Sequence, residues 1–153
     1  MQLLPNSAFT LCSTALISTQ DTDIDGTPVD MSGFDGVCFI VPIIASSDTT
    51  DSLLGIVGAE SNSSAGTYVD YTTGSGCVKY ISTGSGGGDD RLVILDIYKP
   101  HDRWVRPTIF GTSEVMHGGC IAIQYHSLAG PVAQSTATDK VAASASFVTP
   151  TTA

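Results

Sequence analysis

Short apolar runs separated by stretches dense in turn-forming residues are the feature that most constrains the fold of this chain. The turn stretches read SSDTTDS, ESNSSAG, TTGSG, TGSGGGDD, YKPHD and MHGG. Gly, Ser, Asp, Asn and Pro dominate them, because these residues adopt turn conformations at little cost or hydrogen-bond their own backbone. No intervening segment is both long and amphipathic enough for a crossover helix. We therefore expect an all-β protein.

The apolar runs predict about eight strands. They cover residues 9–18, 36–44, 53–57, 67–71, 77–82, 91–98, 103–110 and 120–128. Their short spacing indicates an antiparallel β-sandwich, jelly-roll-like in its connections. The run at 36–44 is apolar on both faces, and Pro42 within it marks an edge, a bulge or the end of that strand.

The last two long runs before residue 111 are predicted to form a β-hairpin. Lys99 to Asp102 would make its turn, because Pro and Asp favour turns. In the second strand of this hairpin we expect either Trp104 or the alternate residue Val105 to pack inward.

A chain of 153 residues suits a single domain. We assign residues 1–130 to the β-sandwich domain and residues 131–153 to an extended C-terminal arm. The arm contains one aromatic residue, Phe147, and is otherwise small and polar. Such a segment is too poor in apolar residues to form its own core, so we expect it to lie along a neighbouring subunit.

Charge disfavours several classes of partner. The chain has six Lys and Arg residues and fifteen Asp and Glu residues, which gives a formal charge of −9. A chain this acidic is repelled by nucleic-acid phosphates and by anionic membranes. No apolar stretch approaches the ~20 residues of a membrane span, and the opening MQLLPNSAFT lacks the pattern of a signal peptide. We expect no nucleic-acid or membrane partner and synthesis in the cytoplasm.

The four cysteines are Cys12, Cys38, Cys77 and Cys120, each in or beside an apolar run. They form no C-x-x-C pair and no cluster with the spacing of a zinc site. We expect buried, reduced thiols that behave as small hydrophobic side chains.

The sequence offers no set of residues for catalysis. His101, His117 and His126 lack metal-site spacing, and no G-x-S-x-G elbow is present. The glycine-rich TGSGGGDD stretch has no Lys of a phosphate-binding loop. We expect no enzyme and no cofactor.

An acidic loop begins like a calcium site. Asp21, Asp23, Asp25 and Gly26 match the first half of an EF-hand loop, but Ser32 stands where the bidentate Glu is required. Flanking helices are not predicted either. We interpret the segment as a solvated acidic loop that leads into the next strand, with a weaker calcium loop of another type as the open alternative.

Two longer stretches resemble small structural proteins of tailed-phage heads. GTPVDMSGFDGVCFIV is similar to a stretch that opens into an apolar strand in many of them. LVILDIYKPHDRWVRPTIFG, followed by GGCIAIQYHSL, resembles their pattern of a strand, a Lys-Pro turn, an aromatic-Arg strand and a final strand. The resemblance implies a capsid decoration, or cement, protein: a β-sandwich on the outer surface of the virion that binds the major capsid protein as a symmetric oligomer.

We expect a homotrimer, with a dimer as the next choice. Trp and Arg are enriched in interface hot spots, and the extended arm supplies a second contact. The predicted capsid or subunit interface therefore comprises Arg91, Arg103, Trp104, Arg106, Pro131 and Phe147.

The alternative is a carbohydrate-binding β-sandwich of a phage tail or appendage. Its exposed aromatic residues would stack on sugar rings, and the candidates are Tyr68, Tyr71, Tyr80 and Trp104. Aromatic residues make up 7% of the chain, which is sparse for a glycan-binding surface.

Calcium should bind the acidic loop weakly at most, because the loop lacks the Glu that completes an EF-hand. We expect millimolar calcium to leave the melting temperature, measured by differential scanning fluorimetry, almost unchanged. A rise of about ten degrees, far above the effect of a weak ligand, would contradict this.

Overall fold

Two antiparallel sheets packed face to face make an all-β sandwich, as the sequence predicts. The computed structural model describes residues 6–14, 16–18, 23–46, 53–71, 77–81, 90–111 and 115–125. In this part of the chain the strands are β1 (Ala8–Ser13), β2 (Leu16–Ser18), β3 (Ile24–Asp25), β4 (Val29–Asp30), β5 (Gly36–Ser46), β6 (Leu53–Ser61), β7 (Val69–Asp70), β8 (Cys77–Ile81), β9 (Arg91–Tyr98), β10 (Trp104–Gly111), β11 (Val115–His117) and β12 (Cys120–Tyr125).

The first sheet, sheet I, is organised around β5. Strands β12 and β11 pair with one side of β5 and β9 pairs with its other side, while β1 and β2 extend the sheet outward. Sheet II is organised around β6 and β10, which pair along their whole lengths. The short strands β3 and β4 add to β10, and β7 and β8 add to β6. The chain passes repeatedly from one sheet to the other.

The core lies between the sheets. Alternate residues of β5, including Phe39, are fully buried, and so are Leu54 and Ile56 of β6. Val105 and Ile109 complete the opposite wall. Burial of side chains of this size contributes about 1.5–3 kcal/mol each, so the sandwich is held by its inner faces.

The predicted hairpin between residues 91 and 110 is wrong. Strand β9 pairs with β5 in sheet I, whereas β10 pairs with β6 in sheet II. Lys99 to Arg103 therefore form a crossover loop between sheets. Of the two inward candidates in β10, the structure selects Val105, while Trp104 is only partly buried.

Other differences concern the shortest elements. The run at residues 9–18 holds two strands, β1 and β2, and the acidic stretch contributes β3 and β4 to sheet II instead of remaining a loop. Strand β11 was not predicted either. A strand of two or three residues shows too little periodicity to be identified from the sequence. These elements are defined by their pairing with β10 or β5. The C-terminal arm, residues 131–153, lies outside the described residues.

Pro42 lies inside the central strand of sheet I, at the place where its partner changes. Strand β12 pairs with β5 up to Ile40, and β11 pairs from Ile43 onward. The carbonyl of Pro42 accepts a hydrogen bond of 2.9 Å from the amide of Gly118, in the turn between these partners. Since N–H and C=O of one strand residue point the same way, the missing N–H of Pro42 falls in this gap in the ladder.

Cys12, Cys38 and Cys120 are free thiols, and the side chain of Cys77 lies outside the described residues. The hydrogen bond with Cys12, and next burial, raise the pKa of the Cys120 thiol, so it is protonated and packs as an apolar group. Within the described residues no helix has the length and apolar character that a membrane crossing requires.

His117 is a buried titratable group at the end of β11. Its Nδ1 accepts a hydrogen bond of 3.2 Å from the amide of Gly119, so Nε2 carries the proton. That Nε2 has no hydrogen-bond partner among the described residues. Burial lowers the pKa of His117, because no nearby acceptor stabilises the imidazolium.

The folded state should therefore lose stability as pH falls below about 6.5, the ordinary histidine pKa. The unfolded chain binds a proton there, whereas folded His117 resists protonation until lower pH, so acid favours unfolding. We expect urea denaturation between pH 7.5 and 5.5 to show this slope. His117→Gln should reduce it, while the same change at exposed His101 should not. An equal slope in both variants would show that other groups cause it.

Candidate interaction surfaces

The outer face of sheet II carries the aromatic-arginine cluster that the sequence singled out. The Arg103 guanidinium makes a bidentate pair with Asp30, with Nε to Oδ1 at 2.9 Å and Nη2 to Oδ2 at 2.7 Å. Arg106 Nη1 lies 3.0 Å from Asp25 Oδ2. The hydrogen bond from Arg103 lowers the pKa of Asp30, so both partners are charged at neutral pH.

Both arginines also lie over aromatic rings. The guanidinium carbon of Arg103 is 5.6 Å from the ring centre of Trp104, and that of Arg106 is 4.6 Å from the ring centre of Tyr68. Pairing and stacking hold the planar groups against the sheet. We call Arg103, Trp104 and Arg106 the arginine face; it is a charge-balanced area on an acidic protein.

The structure brings together only part of the predicted interface. Arg103, Trp104 and Arg106 are neighbours in space, but Arg91 begins β9 in the other sheet. Pro131 and Phe147 lie outside the described residues. Arg91 and Arg106 fall within sixteen positions of the sequence, but the chain changes sheet between them. Residues that are close in the sequence therefore lie in different sheets.

Part of the acidic loop is used within sheet II. Asp25 pairs with Thr108 across the sheet, and Thr108 Oγ1 donates a 2.9 Å hydrogen bond to Asp25 Oδ1. Its other carboxylate oxygen faces Arg106. Asp23 is exposed, and Asp21 lies outside the described residues. Asp25 thus serves the arginine face.

One carboxylate holds the crossover loop. Glu60 Oε2 accepts hydrogen bonds from the Tyr71 hydroxyl at 2.7 Å, from the His101 amide at 3.0 Å and from the Asp102 amide at 3.1 Å. Burial, and next the bond to Glu60, raise the pKa of Tyr71, so its hydroxyl remains a donor. Charge-assisted bonds of this kind are about twice as strong as neutral ones.

Glu60, His101 and Asp102 also bring three potential ligand atoms within 4.8 Å of one another. One oxygen of the Glu60 carboxylate, Oε2, already faces three donors, whose hydrogens carry positive partial charge. This arrangement favours a structural acceptor over a cation ligand.

A depression of about 540 Å³ lies beside this loop, next to Phe34 and Asn62. Asp35 accepts at its carbonyl a 2.6 Å hydrogen bond from the Lys99 amide, and Lys99 has a positive φ of 51°. The bond holds Lys99 in this unfavourable conformation. The depression is open and polar.

The outer face of sheet I is different in character. Alternate residues of a strand point to the same side of a sheet, and the register pairs the outward residues of β5 with those of β9. The outward residues of both strands therefore lie on one side of sheet I. They are Gly36, Cys38, Ile40, Pro42 and Ile44 in β5 and Leu92, Ile94, Asp96 and Tyr98 in β9.

The same side continues across β12 and β1. Its outward residues are Ile121, Ile123 and Tyr125 in β12 and Phe9 and Leu11 in β1. Exposure is large for several: 46% for Ile44, 59% for Leu92, 47% for Ile94, 57% for Tyr98 and 40% for Ile121. We call this surface, across β1, β12, β5 and β9, the apolar face.

Asp96 is the charged side chain of the apolar face. It lies on β9, the last strand on that side in the described part of sheet I. Its Oδ1 accepts a 2.7 Å hydrogen bond from the Tyr125 hydroxyl. The Tyr125 ring crosses Gly36, where any Cβ would collide with it, so glycine lets the ring lie flat on the sheet.

The sequence did carry a signal for this face. Antiparallel strands with one solvated side alternate apolar and polar residues, yet GVCFIVPII is apolar at both parities and CIAIQY is apolar except at Gln124. Such runs indicate strands covered on both sides. The run at 36–44 showed this pattern in the sequence, whereas the interface was predicted in the basic cluster.

Comparisons with known proteins identify no family. No protein-family model matches the chain, and no curated protein matches it. Among solved structures, chains from infectious bursal disease virus strains Gt and Gx superpose with TM-scores of 0.46 and 0.47, each at 14% identity. The matches cover 80% and 83% of this chain, which spans about a third of theirs, at 32% and 34%.

A pilus protein of Bacillus endospore appendages, described as disulfide-linked, matches with a TM-score of 0.28 and 17% identity. That match covers 74% of this chain and 89% of the pilus chain. At TM-scores this low the three similarities carry no inference about function.

Removing the Glu60 carboxylate should destabilise the crossover loop. Glu60→Ala leaves a tyrosine hydroxyl and two amides without their acceptor, and we expect a loss of about 1–3 kcal/mol in the free energy of unfolding. Urea denaturation measures it. Asp70→Ala, at an exposed carboxylate in the same sheet, is the control. Equal effects of the two substitutions would refute a special role for Glu60.

Proposed function

We propose that this protein is a structural component of a virus particle, a decoration protein that binds the outer surface of the assembled capsid. The apolar face carries the proposal. Among the described residues it spans four strands and bears one charged side chain, Asp96, as an assembly interface does. The resemblance of two sequence stretches to phage head proteins directs the proposal to the capsid.

The arginine face is the proposed contact with the major capsid protein. Asp30 and Asp25 balance its charges, so a second protein approaches it at less electrostatic cost than the rest of this acidic surface. Trp104 adds a large, partly buried aromatic group at its centre. Trp and Arg together are the composition of a binding hot spot.

Sugar binding has less support. The Tyr71 hydroxyl is committed to Glu60, and the rings of Tyr68 and Trp104 each lie beneath an arginine. The side chain of Tyr80 lies outside the described residues. Aromatic platforms for sugars present an open ring face, which the two arginines occupy here.

Addition of purified protein to particles that lack it tests the proposal. We expect co-sedimentation at saturable stoichiometry, regular density on the capsid surface in cryo-electron microscopy, and greater resistance of the particles to heat. Absence of binding, or binding confined to the tail, would refute a decoration role.

Two variants locate the contact in the same assay. Trp104→Ala should weaken capsid binding by about tenfold or more, as hot-spot truncations do, whereas Val69→Ala, at an exposed residue of sheet II, should not. Deletion of residues 135–153 should lower occupancy without changing the circular dichroism spectrum of the domain. Full binding by the Trp104 variant would remove the arginine face from the contact, and full binding by the deletion variant would remove the arm.

A further inference from the structure

We propose that the apolar face is the interface between two copies of this chain, packed face to face about a twofold axis. The inference rests on the proposed structural role and names the partner of this surface. It also replaces the expected trimer by a dimer, because a sheet face that packs on itself makes an isologous contact that closes after two copies.

Charge selects a second copy as the occupant. Each chain has a formal charge of −9, so two copies repel each other over most of their surface. In the described part of the chain, the apolar face is an area that carries one charged side chain. Its one carboxylate, Asp96, lies on β9 at the side of the face, where a rim residue remains in water.

A basic partner would be recognised differently. Acidic side chains elsewhere on the protein would attract it, and a surface of Ile, Leu and Tyr would contribute nothing to that recognition. A face with little charge suits a partner that the rest of this acidic surface would repel. Another copy of the same acidic chain is such a partner.

The dimensions also suit a dimer. The face is about 27 Å long along β5 and β9 and about 17 Å long along β12 and β1, at ~3.4 Å per residue with strands ~4.8 Å apart. Its flat projection is thus about 400 Å² per copy, or about 800 Å² per pair, before side-chain relief is added. Specific interfaces bury about 1,200–2,000 Å² in total and weak, transient ones less, so closure of this face gives a contact at the small end of the range.

The residues of the face form continuous rows that another sheet can pack upon. Ile121 lies opposite Leu11 on one side and Ile40 on the other, and Ile40 lies opposite Ile94. Two such sheets pack about 10 Å apart with their strands roughly aligned. A surface of this kind left open in solution would promote aggregation, which dimer closure prevents.

Sedimentation velocity of the full chain at about 1–100 µM, a range in which a micromolar dissociation constant is measured directly, tests the proposal. We expect a dimer for the wild type. Ile94→Lys should raise the dissociation constant at least about 100-fold, because it puts an unpaired charge from each copy into the apolar contact. Val69→Lys, which makes the same change of charge at a residue 67% exposed in sheet II, should remain dimeric.

Ile121→Lys, on β12, is the second variant. It tests the face independently of β9 and decides the matter if the circular dichroism spectrum shows that Ile94→Lys is misfolded. A wild type that is monomeric at the highest concentration overturns the proposal, and so does a dimer that survives both substitutions.

Capsid binding separates this inference from the proposed function. A dimer that depends on Ile94 but does not bind particles supports the interface and refutes decoration. A monomer that binds particles and loses binding in Ile94→Lys refutes the dimer, supports decoration and makes the apolar face the capsid contact.

Discussion

The hydrogen bonds that Glu60 accepts hold the crossover loop, Lys99 to Arg103, in place. This loop carries the chain from sheet I to sheet II, so the arrangement of the two sheets depends on it. A chain that leaves β9 in sheet I and enters β10 in sheet II cannot satisfy its connecting amides in a hairpin ladder. Glu60 supplies the acceptor for His101 and Asp102, while Tyr71 donates to the same oxygen. Because it accepts from three donors at once, this carboxylate fixes the path of the crossover loop.

The crossover has consequences on both sides of the sandwich. It places the apolar strand β9 beside β5, which completes the apolar face, and it places Trp104 and Arg106 on the outside of sheet II. Among the described residues one face therefore carries Asp96 as its single charged side chain, while the other pairs arginines with Asp25 and Asp30. A hairpin would have joined these residues in a single surface of mixed character.

The two faces suit different kinds of contact. Hydrophobic association needs contiguous apolar area and little recognition by charge, which the side of β5 and β9 offers. Contact with a different protein gains specificity from oriented planar groups, which the arginine face offers. Together they are consistent with a molecule that joins copies of itself and also binds a larger shell.

The amino-acid sequence by itself determined the fold class and the positions of the long strands. Residues 91–98 were placed correctly, and β5, β10 and β12 nearly so, because their apolar runs and flanking turns are local signals. Tertiary structure alone decided sheet membership, the two-residue strands β3 and β4, and the partners of the arginines. Pairing between distant strands depends on backbone hydrogen bonds that no residue pattern specifies, so Glu60 and Tyr71, eleven positions apart, could not be linked to residue 101 beforehand. The apolar face lies between these cases: its residues were visible as strands apolar at both parities, but only their registers placed them on one surface.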